Sequence, residues 1–238
     1  MPTPLLKMPE NDPVAFRVRT FTALVEEVGR FCAQRQHDNF LFRGQAVAYV
    51  HPNDTHSLRP RIYRHGDLQS RELERFLKRV RAVNGRLTFR NDYARPRTAV
   101  EALFAHYERY DTRMLDVTHV LHVAASFALA EKIDDFQGPS VVYMIDVRGG
   151  RPKPSPGGLG KALVAATTEE AATRPMRQAA WVIWEDNAGV EIVDFGDKVR
   201  RAFLISEEDK PRFWDCQPGL ARGWLMNGDE MLETLRRP

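Results

Sequence analysis

The sequence predicts an α+β fold, with a mixed and strongly curved sheet that is split around a cleft and flanked by helices. Short runs of bulky or β-branched residues, such as 40–43 and 141–147, predict strands. Longer runs with apolar residues at helical spacing, such as 68–83, predict helices. A chain of 238 residues with 43% hydrophobic residues is long enough to bury a substantial core. We therefore expect an N-terminal helical segment over 1–35 and a single globular unit over 36–238.

The first part of the chain is predicted to place one helix before one strand. Residues 1–16 contain prolines and are expected to be irregular, after which Thr20 can cap a helix. This helix should pack on the strand 40–43 that follows it. His51 and His56, in the polar loop beyond that strand, lack a third ligand of defined spacing and predict no metal site. The apolar positions of the helix are Phe21, Leu24, Val25, Val28 and Phe31.

Further helices are predicted along the rest of the chain. Helices 68–83 and 98–110 should cover one side of the sheet. A helix beginning near Thr118 should lie close against the sheet through a face of small residues. The tail, 228–237, is expected to form a short helix. The small-residue face consists of Leu121, Ala124, Ala125, Ala128 and Leu129.

The second half of the chain is predicted to supply most of the strands. The stretches 141–147, 180–184, 190–195 and 201–205 are rich in β-branched and aromatic residues, which favours strands. Residues 148–160 are so rich in glycine and proline that they predict a mobile loop or linker. Such a loop could serve as a lid over a site.

Charge, cysteine content and hydrophobic runs indicate which binding partners and which cellular compartment the sequence favours. The net charge of +3, from 35 basic and 32 acidic residues, is too balanced to indicate a nucleic-acid binder. The basic stretch 59–97 leaves two alternatives open, a solvated helix surface or a face for RNA phosphates. Cys32 and Cys216 have no metal-like spacing, which favours a reducing compartment. Because no stretch approaches the roughly 18 apolar residues of a membrane span, we expect a cytoplasmic protein with no membrane partner.

Phe42-Arg43-Gly44 is the most informative local feature of the sequence. It places a cation where the strand 40–43 is expected to end, and a glycine that lets the backbone bend leaves room beside the guanidinium. A fixed guanidinium fork suits an anionic ligand. The alternative is an arginine at a strand end that makes a structural ion pair.

Three segments in order resemble the FRG domain, a family named after a Phe/Tyr-Arg-Gly motif. That family continues with a Ser-Leu-x-Pro-x-x-x-Arg segment and a His-Tyr, Thr-Arg-Leu-Leu-Asp-Trp-Thr segment. The resemblance covers residues 36–147. The matching segments are Leu41-Phe-Arg-Gly-Gln45, Ser57-Leu-Arg-Pro-Arg-Ile-Tyr-Arg64 and His106-Tyr-Glu-Arg-Tyr-Asp-Thr-Arg-Met-Leu-Asp-Val-Thr118, the last of which leads into Ala124-Ala-Ser-Phe-Ala128.

The order of these segments is also similar, more distantly, to ADP-ribosyltransferases of the Arg-Ser-Glu type. That resemblance implies NAD as a substrate, no metal, and a macromolecular target that is either protein or nucleic acid. It implies that Arg43 holds the pyrophosphate or ribose of NAD and that Thr118 orients the nicotinamide ribose. Tyr107 or Tyr110 would stack on the nicotinamide. It further implies a bacterial toxin or phage-defence effector, with an antitoxin or another partner protein.

The predicted site draws residues from all of these segments. In the predicted fold, Arg43 and Thr118 should face one pocket. The residues expected to bind NAD are Arg43, Gly44, Gln45, Tyr107, Thr112, Arg113 and Thr118. The residues expected to act in catalysis are Arg43, Asp116, Thr118 and Gln178.

The carboxylate that such a transferase uses beside the ribose is open to several assignments. Gln178 stands at the expected place, but glutamine offers no charge to an oxocarbenium-like centre. Glu185 and Glu191 are nearby alternatives. Asp116 is another, although it can equally cap the helix that begins near Thr118. If none of them serves, the same pocket predicts a non-catalytic nucleotide- or phosphate-binding module.

Overall fold

The computed structural model confirms an α+β fold. Within the residues that it describes there are two α-helices and nine strands. The described residues are 3–5, 12–34, 40–52, 55–60, 63, 112, 114–130, 138–146, 157–161, 180–185 and 193–220. The helices are α1, Phe21–Ala33, and α2, Leu121–Ala130. The strands are β1 Thr3–Pro4, β2 Ala15–Arg17, β3 Phe40–Gln45, β4 Tyr49–Val50, β5 Leu115–Thr118, β6 Ser140–Asp146, β7 Gly157–Lys161, β8 Ala180–Glu185 and β9 Val199–Ile205.

The chain divides into two compact units whose segments interleave along the sequence. The first unit consists of Met1–Leu58, Thr118–Arg151 and Phe195–Arg222. The second consists of Arg59–Val117, Pro152–Asp194 and Gly223–Pro238. The predicted helices 68–83, 98–110 and 228–237 lie outside the described residues. Neither described helix is long and apolar enough to cross a membrane.

The first unit is built on a sheet in the order β2-β9-β6-β3. β2 runs parallel to β9, whereas β9 and β3 both run antiparallel to β6, so the sheet is mixed, as predicted. Thr118, the last residue of β5, pairs with Phe42 of β3. β1 and β4 form a separate antiparallel pair. In the second unit, β5, β8 and β7 follow one another in that order, with β7 antiparallel to β8.

Helix α1 begins where the sequence predicts it. The Thr20 hydroxyl oxygen accepts a hydrogen bond from the Ala23 amide at 3.1 Å, which satisfies one of the free donors at the helix N-terminus. The Asp215 carboxylate accepts a second bond from the Thr22 amide at 3.0 Å. Val25 was expected on the apolar face but is 46% exposed. The remaining apolar positions hold the helix on the sheet, with the rings of Phe31 and Phe40 5.5 Å apart.

Helix α2 packs on β3 through its alanines, as predicted. Ala124, Ala125 and Ala128 are fully buried. The contact is so close that a Cβ added to Gly44 would lie 1.7 Å from the Ala124 carbonyl oxygen. The two helices and this face of the sheet enclose one apolar core. Its buried members are Val18, Phe21, Leu24, Phe31, Phe42, Ala124, Ala125, Ala128, Val142, Met144, Phe203, Ile205 and Phe213.

Three predictions about chain segments are wrong. The stretch 1–16 was expected to be irregular, but residues 3 and 4 form β1 and residues 15 and 16 belong to β2. Residues 157–160 of the expected loop belong to β7. All three strands form through main-chain pairing with a neighbouring strand, which does not require an apolar pattern of their own. Residues 193–195 were expected to belong to a strand, but they form no strand. Phe195 is fully buried although it lies outside a strand. Its amide donates to the Leu58 carbonyl at 2.9 Å instead of to a neighbouring strand.

Candidate functional site

Arg43 lies inside β3 and not at the strand end that the sequence predicts. The strand continues through Gln45, and Arg43 pairs with Tyr143 of β6. Because successive side chains of a strand point to opposite faces, Arg43 and Gln45 share one face of the sheet. Tyr143, directly opposite Arg43, lies on that face as well. We call the face that carries Arg43, Gln45 and Tyr143 the polar face.

Gly44 has a different role from the one predicted. It was expected to let the backbone bend and to leave room beside the guanidinium, but it continues the pairing of β3 opposite Val142. Its missing side chain makes room on the other face, where the backbone of α2 touches the strand. Glycine is therefore needed here for helix-to-sheet packing.

A chain of buried polar groups covers part of the polar face. The Tyr143 hydroxyl is 3.4 Å from His56 Nδ1, and the two rings meet edge to face with centroids 5.3 Å apart. His56 Nε2 lies 3.0 Å from Asp12 Oδ2, off the line of a straight hydrogen bond. The other oxygen of Asp12 accepts from the Val14 amide at 2.8 Å. The three side chains thus connect β6, the segment after β4 and the turn before β2.

His56 is neutral at physiological pH. Burial lowers the pKa of its imidazole, and the opposing effect of the nearby Asp12 carboxylate is smaller. The neighbours favour the tautomer with hydrogen on Nε2, facing Asp12, because Nδ1 can then accept from the Tyr143 hydroxyl. In that tautomer the Nε2 hydrogen faces the Asp12 carboxylate without completing a hydrogen bond.

Gln45 carries an unsatisfied acceptor on the polar face. Its side-chain oxygen Oε1 is buried and accepts no hydrogen bond in the part of the chain that the structure describes. A buried acceptor left unsatisfied costs about 1–3 kcal/mol. Gln45 as a whole is half-buried, as is Arg43. The face therefore carries a guanidinium and a side-chain amide two residues apart.

Thr118 does not share the face of Arg43, contrary to the expectation of one pocket. It pairs directly with Phe42, so its side chain lies on the helix side of the sheet. There the Thr118 hydroxyl oxygen accepts from the Val120 amide at 3.1 Å, in the turn that leads into α2. This bond gives Thr118 a structural task at the helix entry.

The remaining predicted site residues are placed as follows. Asp116 is half-buried inside β5, so it does not cap the helix that follows. The Thr112 hydroxyl is buried and donates to the Met114 carbonyl at 3.2 Å, a local turn contact. Tyr107, Arg113 and Gln178 lie outside the described residues. The roles of all these residues in NAD binding or catalysis stay predictions.

The basic stretch 59–97 is represented in the described residues by Arg59. The Arg59 guanidinium donates to Asp194 at 2.9 Å, and both side chains are largely buried. This arginine therefore makes a structural ion pair within the second unit. The RNA-binding alternative stays a prediction for the rest of the stretch.

Sequence reasoning missed Asp12, His56 and Tyr143. His56 was considered only as a metal ligand, and its partner Asp12 is too far along the chain for any local spacing to reveal. One signal was present, since Tyr143 interrupts the apolar run of β6. A tyrosine buried in a strand requires a partner for its hydroxyl.

The comparisons with known proteins bear on the part of the chain that contains Arg43 and Gln45. No curated protein and no solved structure matches the chain. Residues 38–137 match the model of the FRG domain, which confirms the resemblance seen in the sequence motifs.

Proposed function

We propose that this protein is an ADP-ribosyltransferase-like domain that binds NAD at Arg43 and transfers ADP-ribose to a protein or nucleic acid. The observation that supports it best is the arrangement on the polar face. Arg43, inside the segment that matches the FRG domain, is a half-buried cation beside an unsatisfied acceptor on Gln45. A guanidinium fork in such surroundings suits the pyrophosphate of a dinucleotide.

The proposed reaction replaces one bond at the nicotinamide ribose. The bond between the ribose C1′ and the nicotinamide nitrogen breaks, and its electron pair leaves with nicotinamide. A nucleophile of the target then forms the new bond to C1′ and loses its proton. The protein must hold the pyrophosphate still and stabilise positive charge on the ribose. Arg43 would perform the first task, and Asp116, Gln178, Glu185 and Glu191 are the candidates for the second.

Calorimetric titration with NAD tests the binding step. We expect the wild type to bind, and Arg43→Ala to bind about 10-fold to 100-fold more weakly, since a charge-assisted hydrogen bond contributes about 1.5–3 kcal/mol. Arg43→Lys should recover only part of the affinity, because lysine keeps the charge and lacks the fork. Arg30→Ala is the matched control. It removes an arginine that is 61% exposed on α1 and should leave binding unchanged.

Mass spectrometry of target proteins and nucleic acids incubated with NAD tests the transfer step. ADP-ribose adducts should appear with the wild type and be reduced with Arg43→Ala. The proposal is contradicted if the wild type fails to bind NAD at millimolar concentration.

A second candidate function is a binding module without turnover. It is favoured by the state of Asp12, the carboxylate that the structure describes on the polar face. Asp12 already accepts from the Val14 amide and faces His56, so it is not available to a ribose. If the protein is such a module, NAD should bind without release of nicotinamide, and Gln178→Glu should not create hydrolysis.

A further inference from the structure

We infer that Gln45 determines specificity in the Arg43 site, by accepting a hydrogen bond from a ribose hydroxyl of the bound nucleotide. The inference rests on the proposed function and adds to it the chemical class of ligand that the site selects. A site with this acceptor would bind nucleotides that carry a free ribose hydroxyl more tightly than phosphate or pyrophosphate alone.

The first support is the position of Gln45. It stands two residues after Arg43 on the same strand and the same face, which puts the two Cα atoms about 6.8 Å apart. Val141, its partner on β6, is fully buried and apolar. Gln45 thus has an apolar neighbour on one side and a cation on the other.

The second support is the unsatisfied oxygen. Buried acceptors in folded proteins are nearly always paired, so an unpaired one requires an explanation. Among the described residues nothing donates to Gln45 Oε1. A donor that arrives with the ligand would satisfy this oxygen.

The two groups together define the ligand. Arginine offers only donors and therefore selects an anion, while the Gln45 oxygen requires a donor at a short distance from that anion. Pyrophosphate supplies the anion without the donor. A nucleotide supplies both, because its ribose hydroxyls follow directly after the phosphates. A site that is built to bind a hydroxyl discriminates strongly against ligands that lack it.

The test compares ADP-ribose with inorganic pyrophosphate by calorimetry, for the wild type, Gln45→Met and Arg43→Lys. Methionine has a similar length and no acceptor of comparable strength. We expect Gln45→Met to weaken ADP-ribose about fivefold to tenfold and to leave pyrophosphate binding unchanged. Arg43→Lys should weaken both ligands.

Thermal unfolding of the same variants separates this role from a structural one. If Oε1 is held unsatisfied for a ligand, Gln45→Met should be as stable as the wild type or more stable. A loss of stability in Gln45→Met would mean that the amide is a structural group and would overturn the inference. If Gln45→Met weakened both ligands equally, or weakened neither, this inference would also be overturned. The proposed binding of NAD at Arg43 would still stand. If the wild type binds no ADP-ribose, the proposed function fails together with it.

Discussion

Gly44 is the residue of the Phe-Arg-Gly segment whose role follows most directly from packing. An alanine there would place its Cβ 1.7 Å from the Ala124 carbonyl oxygen and 2.8 Å from the Ala128 amide nitrogen. Both are backbone atoms of α2, so they cannot move aside as a flexible side chain would. We expect Gly44→Ala to lower the free energy of unfolding by about 3 kcal/mol or more, measured by urea denaturation.

Gly29 provides the matched control for this substitution. It lies inside α1, and a Cβ built on it meets nothing within 4 Å. Because alanine is a better helix former than glycine, Gly29→Ala should raise the free energy of unfolding by about 0.5–1 kcal/mol. If the two substitutions changed stability equally, the close contact between α2 and β3 would be contradicted.

His56 predicts a pH dependence of stability. Its pKa in the folded protein lies below the value of 6.5 in the unfolded chain, so the unfolded state binds more protons as the pH falls. The contribution of neutral His56 to stability is therefore complete above pH 6.5 and is lost as the pH falls through the lower, folded pKa.

The comparison with His56→Gln isolates this effect from the titration of carboxylates. The difference in free energy of unfolding between wild type and His56→Gln should shrink as the pH is lowered from 7.5 to about 5. Urea denaturation at several pH values measures it. A difference that stays constant over this range would show that His56 does not titrate as proposed.

At the scale of single residues, the sequence indicated Arg43 and Gln45 because a motif joined them. It did not reveal the chain of Asp12, His56 and Tyr143, since these residues meet only after three distant segments fold together. Thr118 shows a third case. The motif indicated Thr118 itself. The face of the sheet on which its side chain lies depends on the register with Phe42, which no local pattern specifies.

At the scale of elements, α1 shows what local sequence can determine. Its cap and its buried positions follow from residue type and helical spacing, and both were predicted except at Val25. β2 and β7 were missed because their partners, β9 and β8, determine them. A strand of three residues or a glycine-rich strand carries too little pattern of its own to be recognised.

The cap of α1 yields a prediction at this scale. Thr20→Ala removes the oxygen that accepts from the Ala23 amide and should lower the free energy of unfolding by about 1 kcal/mol. Thr20→Ser keeps a hydroxyl at the cap and should remain close to the wild type. Thermal unfolding followed by circular dichroism measures both variants. Equal losses in the two would indicate that the methyl group of Thr20, and not its hydroxyl, stabilises the helix start.

At the scale of the whole molecule, the first unit depends on pairing between residues far apart in the sequence. β9 lies between β2 and β6, so residues near the start, the middle and the end of the chain share one sheet. The segment that matches the FRG domain, 38–137, contains β3 but neither β6 nor β9. It also lacks α1, which covers the core on the helix side.

A fragment of residues 38–137 should therefore not fold by itself. Without β6, strand β3 loses the partner that pairs with all six of its residues. Without α1 and β9, the buried rings of Phe21, Phe31 and Phe203 no longer cover Phe42. We expect the fragment to unfold without a cooperative transition in urea and to be cleaved rapidly by protease, while the full chain of 238 residues shows a cooperative transition under the same conditions. A sharp unfolding transition of the fragment would show that the matched segment has a core of its own.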